Sequence, residues 1–154
     1  MSTHTATIRW QCDDSDFADN KYSRGHVWEF DGGAIVAASA APDVVPAPMS
    51  VAENVDPEEA FVASLSSCHM LFFLSFAARR GFSIDDYVDE AVGEMQKDDK
   101  GRTSVTKVTL RPRIVWSGDK LPTEEQKEKL HHQAHDYCFI ANSVKTEIVI
   151  EPIS

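Results

Sequence analysis

The stretch Asp56-Pro57-Glu58-Glu59-Ala60-Phe61-Val62-Ala63-Ser64-Leu65-Ser66-Ser67-Cys68-His69-Met70-Leu71-Phe72-Phe73-Leu74-Ser75-Phe76-Ala77-Ala78-Arg79-Arg80-Gly81 reads as one long helix with both ends marked. Asp56 can cap it, Pro57 suits the first helical position, and Glu58 and Glu59 favour the positive N-terminal end. Arg79, Arg80 and Gly81 suit the other. Between Ala60 and Ala78 there is no Asp, Glu, Lys or Arg, and apolar residues fall on every side, so the helix must be covered all round. A bilayer would cover it. Yet Ser64, Ser66, Ser67, Cys68, His69 and Ser75 make it polar for a span, and the segment stands alone, so no membrane association is expected. The better reading is a helix at the centre of a soluble core or a subunit interface, with Cys68 deep along it.

On the N-terminal side, Thr5 to Cys12 alternates with the period of a half-buried strand, placing Cys12 on its apolar face, where it reads as a small core hydrophobe. An acidic loop, Asp13 to Asn20, follows. Tyr22 to Phe30 alternates again, and Asp31-Gly32-Gly33 turns the chain into Ala34 to Ala38, a hairpin whose first arm carries Arg24 and His26 among aromatics. Pro42, Pro46 and Pro48 make Ala41 to Val55 a crossing loop. Beyond Gly81, strands are expected at Tyr87 to Met95 and Ser104 to Trp116, with Lys97 to Gly101 as a turn and Pro112 either weakening the second strand or putting it at an edge. Thr123 to Tyr137 is an amphipathic helix with Leu130, Ala134 and Tyr137 or Cys138 inward, and Val144 to Ile150 closes the chain. The order is that of a single α+β domain, residues 1–154, with antiparallel hairpins packed on helices.

A net charge of −10 argues against nucleic acid or anionic lipid as partner. Met1-Ser2-Thr3-His4-Thr5 shows no secretory signal, so a cytoplasmic location is expected. Three cysteines in a reducing compartment do not suggest a disulfide framework, which leaves redox chemistry or plain burial.

Three constellations could carry chemistry. Cys68 and Cys138 lie on separate helices and can pair only if the fold brings their Cα atoms within about 7 Å. His131, His135 and Cys138 have spacing compatible with zinc, a pattern common by chance in a polar helix. Glu58 and Glu59 could act chemically or simply complement the helix end.

The run from Asp56 to Cys68 resembles the Pro-Glu…Ala…Ser-Cys segment of the osmotically inducible protein C and organic hydroperoxide resistance (OsmC/Ohr) family. Glu58 precedes Cys68 by ten positions, Tyr22-Ser23-Arg24 sits before the Asp-Gly-Gly hairpin where the family keeps an arginine, and Ala134 to Ile140 looks like the segment holding the family's second cysteine. Phe139 stands where many members have proline, and His69 where an aromatic or apolar residue is common, which suggests an OsmC-like side branch.

The resemblance implies an α+β, OsmC/Ohr-like fold with antiparallel sheets around a long central helix in an intertwined homodimer. It also implies a thiol-dependent peroxidase acting on organic hydroperoxides, with no cofactor and no metal. Cys68 would be the attacking thiolate, Cys138 the resolving cysteine, Arg24 the cationic partner and Glu58 the carboxylate holding Arg24. The reductant would be an external thiol or dithiol, dihydrolipoyl or thioredoxin-like. Ten positions place Glu58 and Cys68 roughly 15 Å apart along one straight helix, too far to meet at one arginine. Because 58 and 68 are symmetric about 63, two antiparallel helices about a twofold would bring Glu58 of one chain opposite Cys68 of the other. Ala60, Ala63, Ser64 and Ser67 are small enough for that approach. Phe61, Met70, Phe72, Phe73, Tyr137 and Phe139 are candidates for an apolar substrate pocket or, equally, for plain core packing. The competing reading is a binding module for a small apolar or acyl ligand, with incidental thiols.

Overall fold

A computed structural model describes residues 1–13 and 17–154. The chain forms two compact units, Met1–Ala60 and Phe61–Ser154.

The first unit is a three-stranded antiparallel sheet in the order β1 (Ala6–Arg9), β2 (His26–Phe30), β3 (Ile35–Ala38). Gly33 turns the hairpin with φ of 90°, and its N–H donates to the Phe30 carbonyl at 3.0 Å. The first two strands are shorter than their alternation suggests. Tyr22 and Arg24 therefore precede β2, and Cys12, expected inside, lies past β1 and is exposed. Part of the expected acidic loop, residues 14–16, lies outside the described residues, and Phe17–Asp19 forms a single 3-10 turn. The proline-containing crossing is ordered by polar contacts. Val51 donates its N–H to Ser39 Oγ at 2.9 Å, Asn54 Nδ2 donates to the Ala38 carbonyl at 3.1 Å, and Val55 bridges to Ala38.

The central helix α1 (Pro57–Arg79) begins at a reciprocal capping box. Asp56 Oδ1 accepts from the Glu59 N–H at 2.8 Å, and a Glu59 carboxylate oxygen accepts from the Asp56 N–H at 3.1 Å. It ends where Gly81, at φ of 80°, lets Phe82 donate back to Ala77 at 3.1 Å and Gly81 to Ala78 at 2.9 Å, the Schellman arrangement. By length and composition α1 could cross a membrane. Its buried stripe of Leu65, His69, Phe73, Phe76 and Ala77 is instead that of a core helix.

In the second unit that stripe meets two clusters. Leu65 packs with Val108 and Leu110, and Phe73, Phe76 and Ala77 pack with Phe82, Leu130 and Ala134. Sheets of two and three strands supply them, β4 (Ser83–Asp89) with β7 (Pro112–Ser117), and β5 (Val92–Lys97), β6 (Thr103–Leu110) and β8 (Glu147–Ile150) in the order β5-β6-β8. Each long strand expected after α1 is therefore two. The chain leaves one sheet for the other at Glu90-Ala91 and at Arg111, and Pro112, lacking a donor, opens β7 as its first residue. The pairings are antiparallel except β6 with β8, which run parallel from Lys107↔Glu147 to Leu110↔Ile150. Helix α2 (Glu124–Tyr137) starts at a Thr123–Gln126 capping box and buries Leu130, His131 and Ala134. Cys138 is buried just past its end, whereas Tyr137 is exposed.

Candidate active site

The second unit brings two of the four expected residues together. Cys68 projects from the middle of α1 and is half-buried, and Cys138, at the C-cap of α2, is 1% exposed. The two thiols lie within hydrogen-bonding reach. Burial first, and the neighbouring Cys68 thiol with it, pushes the Cys138 thiol up to about 11, against the opposing pull of backbone N–H groups at Ala141 and Ile140. The Ala141 N–H donates to Cys138 Sγ at 3.4 Å. The pair is thus asymmetric, one thiol reachable and one enclosed and protonated.

Beside it lies a feature that the sequence reading passed over. His69 and His131 are buried, their rings stack 5.4 Å apart and 6° from parallel, and His69 Nε2 meets His131 Nδ1 at 3.1 Å. Phe73 lies 4.3 Å from the His131 ring. Burial lowers His69 to about 3, with help from His131 and His135, and lowers His131 to about 4. Both rings are neutral at physiological pH. His131 could have been found by helical phase, since it lies one turn before Ala134 and two before Cys138 on the inward face.

One turn along α1 from Cys68 and next to Cys138 in the chain, Phe72 meets Phe139 at 5.0 Å, edge to face, and Phe76 meets Tyr137 at 5.6 Å. Phe139, at 71% exposure, forms an open aromatic rim. Of the two readings open for Phe73, pocket or core, the structure has the core, where it is fully enclosed. His131 Nδ1 is occupied by His69, and among the described residues no group of three His, Cys, Asp or Glu side chains is placed to hold a metal ion.

Arg24 and Glu58 belong to the first unit. Arg24 is half-buried and held by neutral oxygens. It donates to the Asn20 side-chain oxygen at 2.8 Å and to the Asn20 and Tyr22 carbonyls, and its guanidinium stands 3.6 Å from the Tyr22 ring centre. Its charge meets no carboxylate among the described ion pairs. It lines a cavity of about 510 Å³ with Ile8, Trp10, Phe17, Tyr22 and His26. Glu59 accounts for the helix-end role of the acidic pair. Glu58 also lies in the first turn but takes no part in the capping box, and one of its carboxylate oxygens is buried with no hydrogen-bond partner, a costly state for such a group.

Residues 51–152 match the family model described as OsmC-like protein. The chain is 60% identical to an OsmC-like protein of unknown function from Vibrio cholerae, with a TM-score of 0.97 over 99% of this chain and 100% of that one. It shares the fold of the organic hydroperoxide resistance protein OhrB of Bacillus subtilis, at 19% identity and a TM-score of 0.70 over 99% and 98% of the two chains. The same holds for an organic hydroperoxide resistance protein of Legionella pneumophila, at 15% identity and a TM-score of 0.70 over 99% and 96%. No curated protein matches the chain.

Proposed function

We propose, for a chain that belongs to the OsmC-like protein family, that its Cys68–Cys138 pair reduces organic hydroperoxides. The observation that carries this reading is the asymmetric thiol contact, an accessible Cys68 against a buried, protonated Cys138. The Cys68 thiolate attacks the outer oxygen of the hydroperoxide, the O–O bond breaks, and the alkoxide takes a proton to leave as the alcohol. Cys68 becomes a sulfenic acid. Cys138 then attacks the Cys68 sulfur, the S–O bond breaks, and water leaves as the disulfide forms. A dithiol of dihydrolipoyl or thioredoxin-like chemistry resets the pair by exchange, as a reducing cytoplasm allows.

Arg24 supplies the cation that favours the thiolate, and Glu58 holds Arg24. The support is that Arg24 meets no carboxylate among the described ion pairs, while Glu58 has a buried oxygen without a hydrogen-bond partner in the isolated chain. A second copy offers Glu58 its partner and covers the open stripe Ala63, Ser67 and Leu71 of α1. The active form is therefore a homodimer with composite sites. The aromatic rim of Phe72, Tyr137 and Phe139 favours alkyl over hydrogen peroxide.

Stopped-flow consumption of cumene hydroperoxide tests this. Wild type removes one equivalent rapidly and Cys68→Ser removes none; equal behaviour of the two defeats the reading. The alternative, binding of a small apolar or acyl ligand without turnover, is favoured by the cavity beside Arg24. It predicts Trp10 fluorescence changes with such ligands and no thiol-dependent peroxide loss.

A further inference from the structure

We infer that His135 accepts the proton of the Cys138 thiol as that thiol closes onto Cys68, an inference that rests on the two-thiol reading above. His135 and Cys138 are three positions apart at the end of α2, a spacing that sets side chains as neighbours about 5–6 Å apart at Cβ. The Cys138 N–H donates to the His135 carbonyl at 3.3 Å, which keeps that last turn closed. His135 Nδ1 is buried and has no hydrogen-bond partner. His132, on the outer face, instead meets Asp136 at 3.5 Å.

The chemistry needs such a group. A thiol raised to about 11 is ionised to about one part in ten thousand at neutrality, so it attacks slowly unless a base removes its proton during the step. The buried pair is the weaker acceptor: His69 Nδ1 is also buried without a hydrogen-bond partner, but burial lowers His69 to about 3 and His131 to about 4, so neither ring holds a proton near neutrality. His69 on α1 interacts electrostatically with His135, helical spacing sets His131 and Cys138 of α2 on its side of the helix, and Cys68 is reached through Cys138 and Tyr87 of β4 through Phe73. An imidazole is the side chain suited to hold a proton briefly near neutrality. With its hydrogen on Nε2, His135 takes the S–H proton at Nδ1 while Cys138 Sγ bonds to Cys68 Sγ. The hydroxide leaving Cys68 recovers that proton as water. The sum is sulfenic acid plus thiol giving disulfide plus water, with His135 unchanged.

The full-length protein is mixed with cumene hydroperoxide, and two steps are followed separately, sulfenic acid by dimedone trapping and closure by loss of the trappable species. His135→Gln should form the sulfenic acid at the wild-type rate and close at least about tenfold more slowly. Its closure should accelerate with pH towards the Cys138 value, more steeply than that of wild type. His132→Gln should match wild type. Closure of His135→Gln within about twofold of wild type, with the same pH profile, overturns the inference. So does wild-type closure that itself climbs about tenfold per pH unit from 7 to 9, a result that needs no variant to fold. If wild type forms no sulfenic acid, the peroxidase reading fails instead. Diamide then decides the inference alone, because its Cys68 adduct is closed by the same Cys138 attack. A His135-dependent closure with diamide supports the inference, and equal closure overturns it.

Discussion

At the residue scale, the division of labour between the thiols makes a sharp prediction. Cys138→Ser should consume the first equivalent of hydroperoxide as wild type does, then accumulate sulfenic acid on Cys68 and, with excess peroxide, a sulfinic acid visible as two added oxygens by intact mass. The buried histidines make a second prediction, about stability. Their folded pKa values, about 3 and 4, lie below the ordinary 6.5, so the unfolded chain binds more protons between those limits. Stability is therefore complete above about pH 6.5 and falls as pH drops towards 4. At pH 5 the pair should cost roughly 2–4 kcal/mol, read as a lowered urea midpoint, and His69→Phe should flatten that dependence. The cysteines were legible because the segment around each resembles a known pattern. The histidine contact was not, since two polar residues 62 positions apart leave no local trace of meeting.

Elements were legible where their ends carry chemistry of their own. Asp56, Pro57 and Gly81 marked α1 correctly, and removing the cap by Asp56→Ala should cost about 1 kcal/mol in chemical denaturation. The two double strands after α1 were not legible, because alternation continues through the short turns at Glu90-Ala91 and Arg111 and gives no sign of a change of sheet. Pro112 was the one available signal. Gly93 in β5 shows how tightly α1 sits on its sheet: a Cβ there would come within 2.6 Å of Val62 Cγ2, a branched side chain with little room to swing. Gly93→Ala should therefore destabilise the protein by about 1–3 kcal/mol, measurable by the same denaturation.

At the scale of the whole molecule, the all-round apolar character of α1 called for cover on every side, from a core or from a second subunit, and the chain leaves Leu71 60% exposed. What the sequence could not settle is the neutral cradle of Arg24, which depends on the loop at Asn20 and Tyr22 rather than on any pattern in the strands. The composite-site proposal has its own test. Mixing Glu58→Ala chains with Cys68→Ser chains should restore about half of the sites in each mixed dimer, measured as hydroperoxide turnover, while sites contained in one chain would restore none. The parallel union of β6 with β8 bears on how the protein is made. Lys107 awaits Glu147, forty residues later (147 − 107), so one border of β6 must emerge from the ribosome without its mate. At about 5–20 residues per second that interval lasts roughly 2–8 s, long enough for a nascent-chain chaperone to engage.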